Sequence, residues 1–405
     1  MNKKAIFQVL CFSSLILGVM SCKKSTTSSS TQKVSITAGG LSAALTADDK
    51  VAVTNLTITG YLNAEDFFEM RSYMPNLSVL DLTGDSIASY TGTATLGSNG
   101  LSTTIFPAQT VPDSAFINRK SLTIITLSST FTAIGNKAFE NCSGLRSFSI
   151  SKSIQSIGNL AFAGCTCPIS VDSANRYYAS QSGILFDKNI TRVIHAPASL
   201  SGSYAIPSTV VTLDTLSFFN CSALTDITIP SSVVSIQYAT FKYCSSLVSI
   251  SLPSSISSID YLAFEGYAGQ ITVDANNPTF SSNGSVIFNK TQSSLIICPI
   301  LINGSYTVPA SVTSINALAF DGCIALTSIV LPNTISTIGN YAFINCTGLT
   351  SIYANAITPI DLTHSIGVFS NINPSTCVLH VPKGSKAAYQ GAGQWNKFLN
   401  VVDDI

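Results

Sequence analysis

Charge is what this sequence has least of. Only 10% of its 405 residues are Asp, Glu, Lys or Arg, and 20 basic side chains balance 20 acidic ones to a formal charge of zero. A chain without a net field has nothing to draw in DNA, RNA or an anionic membrane surface. Histidine is scarce as well: His195, His364 and His380 are the three, and none stands in a recognisable setting with a Ser or Cys nucleophile. HExxH, GxSxG and glycine-rich phosphate-cradling patterns are missing, so we read a chain with no catalytic residues, no metal site and no cofactor. Beyond the N-terminus there is no run of about 18 apolar residues that could cross a bilayer. Hydrophobic residues nevertheless make up 46%. They are spread among Ser and Thr at regular intervals, the pattern of a close-packed, largely β body.

The one apolar run is a leader. Lys3 and Lys4 precede an apolar stretch from Ala5 to Met20, and residues 1–21 read as a secretory signal. Val19-Met20-Ser21-Cys22 resembles a lipobox, which implies lipidation of Cys22 and a cell-envelope, outer-membrane lipoprotein held to the membrane by its lipid alone. The polar run from Lys23 to Thr31 has nothing to bury, so residues 22–33 are expected to be a flexible tether. The side of the outer membrane that the body faces stays open.

Repetition supplies the fold. A small residue followed by Phe, with Cys three positions on, recurs at Phe139/Cys142, Phe162/Cys165, Phe218/Cys221, Phe241/Cys244, Phe320/Cys323 and Phe343/Cys346. Phe116 and Phe264 extend the series with the Cys replaced, and Phe369 is a degenerate member. Neighbouring anchors stand 23 apart (139 to 162, 218 to 241, 320 to 343), two intervals are 56, and the whole set repeats after 102 (162 to 264, 218 to 320). Fixed periods of this length are the mark of a solenoid.

One unit, Leu224 to Phe241, carries the physics. Ile227 and Ile229 alternate with Asp226 and Thr228, so two isoleucines point inward from a strand. Pro230 ends the pairing, Ser231 and Ser232 turn the chain, and Val233 and Ile236 return to the core. The segment ending in Phe closes the coil as a short helical or 3₁₀ piece. A single coil cannot bury its Phe, whereas stacked coils bury all of them in a line.

These residues resemble the BspA-like, type 5 subclass of leucine-rich-repeat proteins, common among surface lipoproteins of Bacteroidetes-type bacteria. Leu145 to Cys165 and Leu326 to Cys346 follow its Leu-x-x-Ile-x-Ile-Pro, Ser-Val-x-x-Ile-Gly, Ala-Phe-x-x-Cys pattern almost fully. Within the long interval, Val171 to Tyr178 with Gly183 to Phe186 is echoed by Val273 to Phe280 with Gly284 to Phe288. The resemblance implies a mainly β leucine-rich-repeat solenoid over 111–375. Residues 34–110 form an N-terminal cap of first coils and one amphipathic helix, with Asn63 as its N-cap and Phe67, Met70 and Met74 on one face. Residues 376–405 form a C-terminal cap plugged by Trp395 and Phe398.

A repeated residue is usually a fold residue, and the cysteines are read that way, as a ladder of small buried thiols. Their parallel side-chain directions disfavour disulfides, and Cys165-Thr166-Cys167 lacks the convergent ligands of a zinc site. Asp172 and Asp274 recur as turn formers rather than a catalytic pair. Asp85-Ser86, Asp113-Ser114, Asp172-Ser173 and Asp214-Thr215 match the Asp-Ser/Thr-apolar acceptor used for O-glycosylation in such bacteria, a weak signal in a chain so rich in hydroxyls. Recognition falls to the outward strand positions, Ser147, Ser149, Asp226, Thr228, Ser249, Ser251, Ser328 and Tyr353, and secondarily to Tyr177, Tyr178 and Phe280 in the long intervals. A neutral, hydroxyl-rich surface suits a host matrix or cell-surface protein, or a glycan, and not nucleic acid. The expectation is a monomeric, adhesin-like binding protein, with a glycan-capturing accessory lipoprotein or a structural envelope component as alternatives.

Overall fold

The computed structural model describes residues 30–92 and 104–405. The signal segment 1–21, Cys22 and the tether up to residue 29 lie outside them. The chain winds as a mainly β solenoid in two stacks of parallel strands. One stack holds the longer strands, beginning with β1 (Ser30–Ile36), β2 (Val53–Leu62) and β3 (Val79–Ile87), which pair in that order and continue onto Ile124–Leu127. The other holds two-residue pairings such as Thr110–Val111, Ala133–Ile134 and Ser156–Ile157, in register 23 residues apart.

β1 corrects the extent of the tether, because Ser30 to Lys33 already pair with β2. Their side chains are polar, but the free edge of β2 asks only for backbone partners, and hydropathy alone does not report those. The cap also holds three helices rather than one: α1 (Leu41–Ala44), α2 (Ala47–Ala52) and α3 (Ala64–Tyr73). α3 is the helix expected, capped by Asn63, with Phe67, Met70 and Met74 fully buried. Asp66 fastens it, accepting from the N–H of Gly39, Leu41 and Asn63 at 2.8 to 2.9 Å. Three donors compensate a carboxylate that burial otherwise pushes toward the neutral form.

Each coil buries its Phe and most of its inward isoleucines. Ile227, Ile229, Val233 and Ile236 are all buried, as the alternation requires. The anchors form a spine in which Phe116, Phe139 and Phe162 stack at 5.5 and 5.6 Å, Phe218, Phe241 and Phe264 at 5.5 and 5.7 Å, and Phe320, Phe343 and Phe369 at 4.9 and 5.8 Å. Near-parallel stacked rings add roughly 1 kcal/mol per pair to burial worth about 2 to 3 kcal/mol each. Around every Phe the chain makes 3₁₀-type i to i+3 bonds, for example Glu140 N–H to Lys137 O and Cys142 N–H to Phe139 O. They do not run on into a helix, because at nearly every anchor the residues two before and two after Phe take positive φ, as at Lys137 (54°), Asn141 (58°), Leu318 (59°) and Tyr341 (56°). That reversal turns alternate N–H groups toward the next coil: Lys137 donates to Asn159 O, Phe139 to Ala161 O and Asn141 to Ala163 O.

The cysteine ladder is explained by the same spacing. Each thiol donates to a carbonyl one coil back: Cys142 to Phe116 O at 2.9 Å, Cys165 to Phe139 O at 3.0 Å, Cys244 to Phe218 O at 3.2 Å and Cys346 to Phe320 O at 3.1 Å. The nine cysteines of the described residues are buried and free, and burial pushes Cys142 and Cys244 up to about 12, so they are inert at neutral pH. Arg119 takes the Cys position of the first coil and donates to the carbonyls of Arg71 and Met74, closing the C-terminus of α3. At the far end, Trp395 and Phe398 pack on Phe369 at 5.0 and 5.1 Å, and the indole donates to Ile360 O at 3.0 Å. Gln394 closes the last coil from outside, accepting from Val368 N–H and donating to Leu362 O.

The two 56-residue intervals are breaks in the winding. In each, a three-stranded antiparallel meander leaves the coil and returns to the short-strand stack: Tyr178–Gln181, Ile184–Asp187 and Arg192–His195 in the first, Phe280–Asn283, Val286–Asn289 and Ser294–Ile297 in the second. Every boundary in the second lies 102 residues after its counterpart. The hydrophobic core divides into three clusters at these two places.

Candidate functional site

The outward strand positions lie where the alternation places them. Ser147, Ser149, Asp226, Thr228, Ser249 and Ser251 are exposed, and Ser328 and Tyr353 are half-buried. They form rows across neighbouring coils: Ser149 is in register with Ser170, their hydroxyls 3.0 Å apart, Asp226 with Ser203, Ser251 with Thr272, and Ser328 with Ser305 and Ser351. Tyr353 ends its row stacked on His380 at 4.2 Å, and His380 bonds Asp404 at 3.0 Å. The face is neutral and rich in hydroxyls, without a charged cluster.

The breaks hold the second group, and here the expectations divide. Tyr177 is 47% exposed and Tyr178 half-buried. Phe280 is a correction: it is buried, packed in the middle core cluster. The meander needs one ring on its inner side at this position, and without a hydroxyl to reach outward Phe280 is wholly core. Tyr178 instead uses its Oη to accept from Ile157 N–H at 2.8 Å.

What frames each break is an asparagine whose role spacing alone does not reveal. Asn175, 1% exposed, donates to Ser151 O and Ile154 O at 2.8 and 2.9 Å and accepts from Tyr177 and Tyr178 N–H at 2.8 Å. Asn277 does the same with Pro253 O, Ile256 O, Thr279 N–H and Phe280 N–H. Asp172 and Asp274 are turn formers as expected, accepting from Ala174 and Asn276 N–H. The repeated Asp-x-x-Asn is the signal that could have disclosed the clamp.

At the first break the coil holding Phe162 and the coil holding Phe218 are parted by a cavity of about 560 Å3. Its walls carry Gln155, Asn159, Tyr177, Tyr178, Asp187, Arg192, His195, Asp214 and Gln237. Arg192 and Asp214 form a two-pronged ion pair, Nε to Oδ1 at 3.1 Å and Nη2 to Oδ2 at 2.6 Å. Asp187 is spent on the Thr191 and Arg192 N–H groups. His195 continues the phenylalanine spine, its ring 6.2 Å from that of Phe162. It is 3% exposed, and its Nε2 has no partner among the described residues. Burial holds the imidazole near a pKa of about 3, so it is neutral. The N–H groups of Leu160 and Phe162, which in an unbroken stack would donate to the next coil, also find no acceptor among the described residues.

The second break is the same architecture with different chemistry. Its cavity of about 450 Å3 is lined by Ser258, Asp260, Tyr261, Ile296 and Asn316. Ser294 and Asn316 replace the ion pair with a neutral hydrogen bond of 2.8 Å. Ile297 replaces His195 and is buried. Asn289 replaces Asp187 and accepts the equivalent N–H groups of Ser293 and Ser294.

Among the glycosylation-like sites only Ser173 is exposed. Ser114 is buried, Ser86 is half-buried, and Thr215 lines the first cavity. No helix among the described residues is long and apolar enough to cross a membrane.

A comparison with curated proteins finds no match. Among solved structures, a leucine-rich repeat protein from Eubacterium ventriosum is 20% identical, covering 80% of this chain and 84% of its own, with a TM-score of 0.49. A leucine-rich cell surface protein from Faecalibacterium prausnitzii is 23% identical over 71% of this chain and 76% of its own, with a TM-score of 0.44. The pneumococcal vaccine antigen PcpA is 17% identical over 87% and 80%, with a TM-score of 0.38. The BspA type leucine-rich repeat model matches in six copies over residues 95–201, 198–304 and 302–373. These stretches span most of the solenoid and more than half of the sequence, and the chain belongs to the BspA type leucine-rich repeat family.

Proposed function

We propose that the chain is a binding protein of the bacterial cell envelope, anchored through Cys22 and using its solenoid, adhesin-like, to hold a host matrix or cell-surface protein or a glycan. The observation that carries this reading is the open strand face, where in-register hydroxyl rows such as Ser149 with Ser170, Ser251 with Thr272, and Ser305, Ser328 and Ser351 recur in successive blocks of coils as a neutral surface. Extended faces of this kind are what solenoids use for recognition. The leader and lipobox-like sequence support placement at the envelope, and the family is one of repeat scaffolds. Catalysis has no part in the proposal.

The test has two arms. Binding of the purified protein is measured on arrays of matrix proteins and glycans, and intact cells are treated with an external protease to learn whether the solenoid is accessible. Binding above background in one ligand class, with cleavage on intact cells, supports the proposal. Silence on every array, together with loss of envelope integrity in a deletion strain, replaces it with a structural role.

A further inference from the structure

We infer that the cavity at the first break is a binding site for a neutral saccharide, a deepening that rests on the binding role proposed above. The 102-residue repeat supplies an internal control, because the second break has the same frame and a polar lining of its own, but without the ion pair, the imidazole and the exposed tyrosine. At the counterparts of Tyr177, Arg192, His195 and Asp214 stand Thr279, Ser294, Ile297 and Asn316. Both breaks are folded and both have their asparagine clamp, so the frame does not require the first set. His195 is the clearest case. An isoleucine fills the same place in the spine at the second break, whereas at the first a buried imidazole faces the cavity with Nε2 unpartnered. Leaving such a group unpaired costs about 1 to 3 kcal/mol, a cost that the isoleucine at the second break avoids.

The chemistry of the lining selects the ligand class. Arg192 and Asp214 neutralise one another, Asp187 adds a negative charge, and His195 is uncharged, so an anion meets no free cation. Hydroxyls both donate and accept, which matches a lining that offers the Leu160 and Phe162 N–H groups, the imidazole nitrogen and the outward edge of the ion pair. The exposed ring of Tyr177 at the mouth offers an apolar face for the C–H side of a sugar ring. The volume, about 560 Å3, is that of a small-ligand pocket.

The full-length protein, purified in detergent, is applied to an array of neutral di- to hexasaccharides with sialylated and sulfated oligosaccharides and peptides spotted beside them. The strongest neutral hit is then titrated while the His195 ring nitrogens are followed by 1H–15N NMR. Neutral spots bind, the His195 nitrogens shift, and Tyr177→Ala and His195→Ile each weaken binding at least about tenfold, or 1.4 kcal/mol. Ser294→Ala at the second break changes nothing. Hits confined to charged glycans or to peptides overturn the saccharide assignment. Neutral hits that survive both variants with an unmoved His195 overturn the site while leaving the binding role intact, and an array with no hit at all counts against both.

Discussion

The two breaks are one piece of architecture written twice, and their differences separate what folds the chain from what the fold is used for. The clamp made by Asn175 is repeated by Asn277 with the same four kinds of partner, and the meander strands match boundary for boundary. The lining is not repeated. An ion pair becomes Ser294 with Asn316, and an imidazole in the spine becomes Ile297. Positions that agree are therefore structural, and those that diverge at the first break are free for recognition.

The largest effect tests the shared frame. Asn175→Leu and Asn277→Leu each strand two carbonyls and two N–H groups, and each should lower unfolding stability by about 4 kcal/mol in urea titrations. Unequal losses would mean that the two frames are not equivalent. Exchanging the spine residues comes next: Ile297→His should cost about 3 kcal/mol by burying an unpaired imidazole, while His195→Ile should gain about 1 to 2 kcal/mol at pH 7. Thermal melts of the two variants should move in opposite directions.

The pH dependence sharpens the same point. His195 titrates near 6.5 when unfolded and near 3 when folded, so the unfolded chain binds the extra proton between those values. Stability from this residue is complete above pH 6.5 and is lost as pH falls toward 3, a loss that His195→Ile should abolish. Asp85 has the opposite sign. Burial, with Asp81 and Asp66 nearby, pushes its carboxyl up to about 7, and neither oxygen has a partner among the described residues. Its penalty is complete above pH 7 and is relieved as pH falls toward 3.8, so Asp85→Asn should raise the melting temperature at pH 8 and leave it little changed at pH 4. The smallest effect belongs to the unbroken coils: Lys137→Gly should be neutral or stabilising by up to about 1 kcal/mol, because φ is 54° there.

Periodicity made the coils legible. The spacing of Phe139, Phe162 and their kin, with alternation at Ile227 and Ile229, led directly to the spine, the cysteine ladder and the aromatic plug at Trp395. Backbone bonding was not legible, because it leaves no trace in hydropathy. Ser30 to Lys33 join the sheet although polar, and α1 and α2 fit into a cap read as holding one helix. The candidate site was legible in part. Tyr177 and Tyr178 stand out in the sequence because they interrupt the array; Phe280 shares their position, but its missing hydroxyl makes it core. His195 has no nucleophile nearby in sequence, and its meaning lies instead in replacing a member of the aromatic spine.

The most direct test rewrites the first break in the residues of the second. The variant carrying Tyr177→Thr, Arg192→Ser, His195→Ile and Asp214→Asn uses only side chains that the chain already accommodates 102 positions later. It should melt at or above the temperature of the parent protein and retain none of its saccharide binding. A variant that folds equally well and binds as the parent does would contradict the account, and so would one that fails to fold, since the two breaks would then not be equivalent frames.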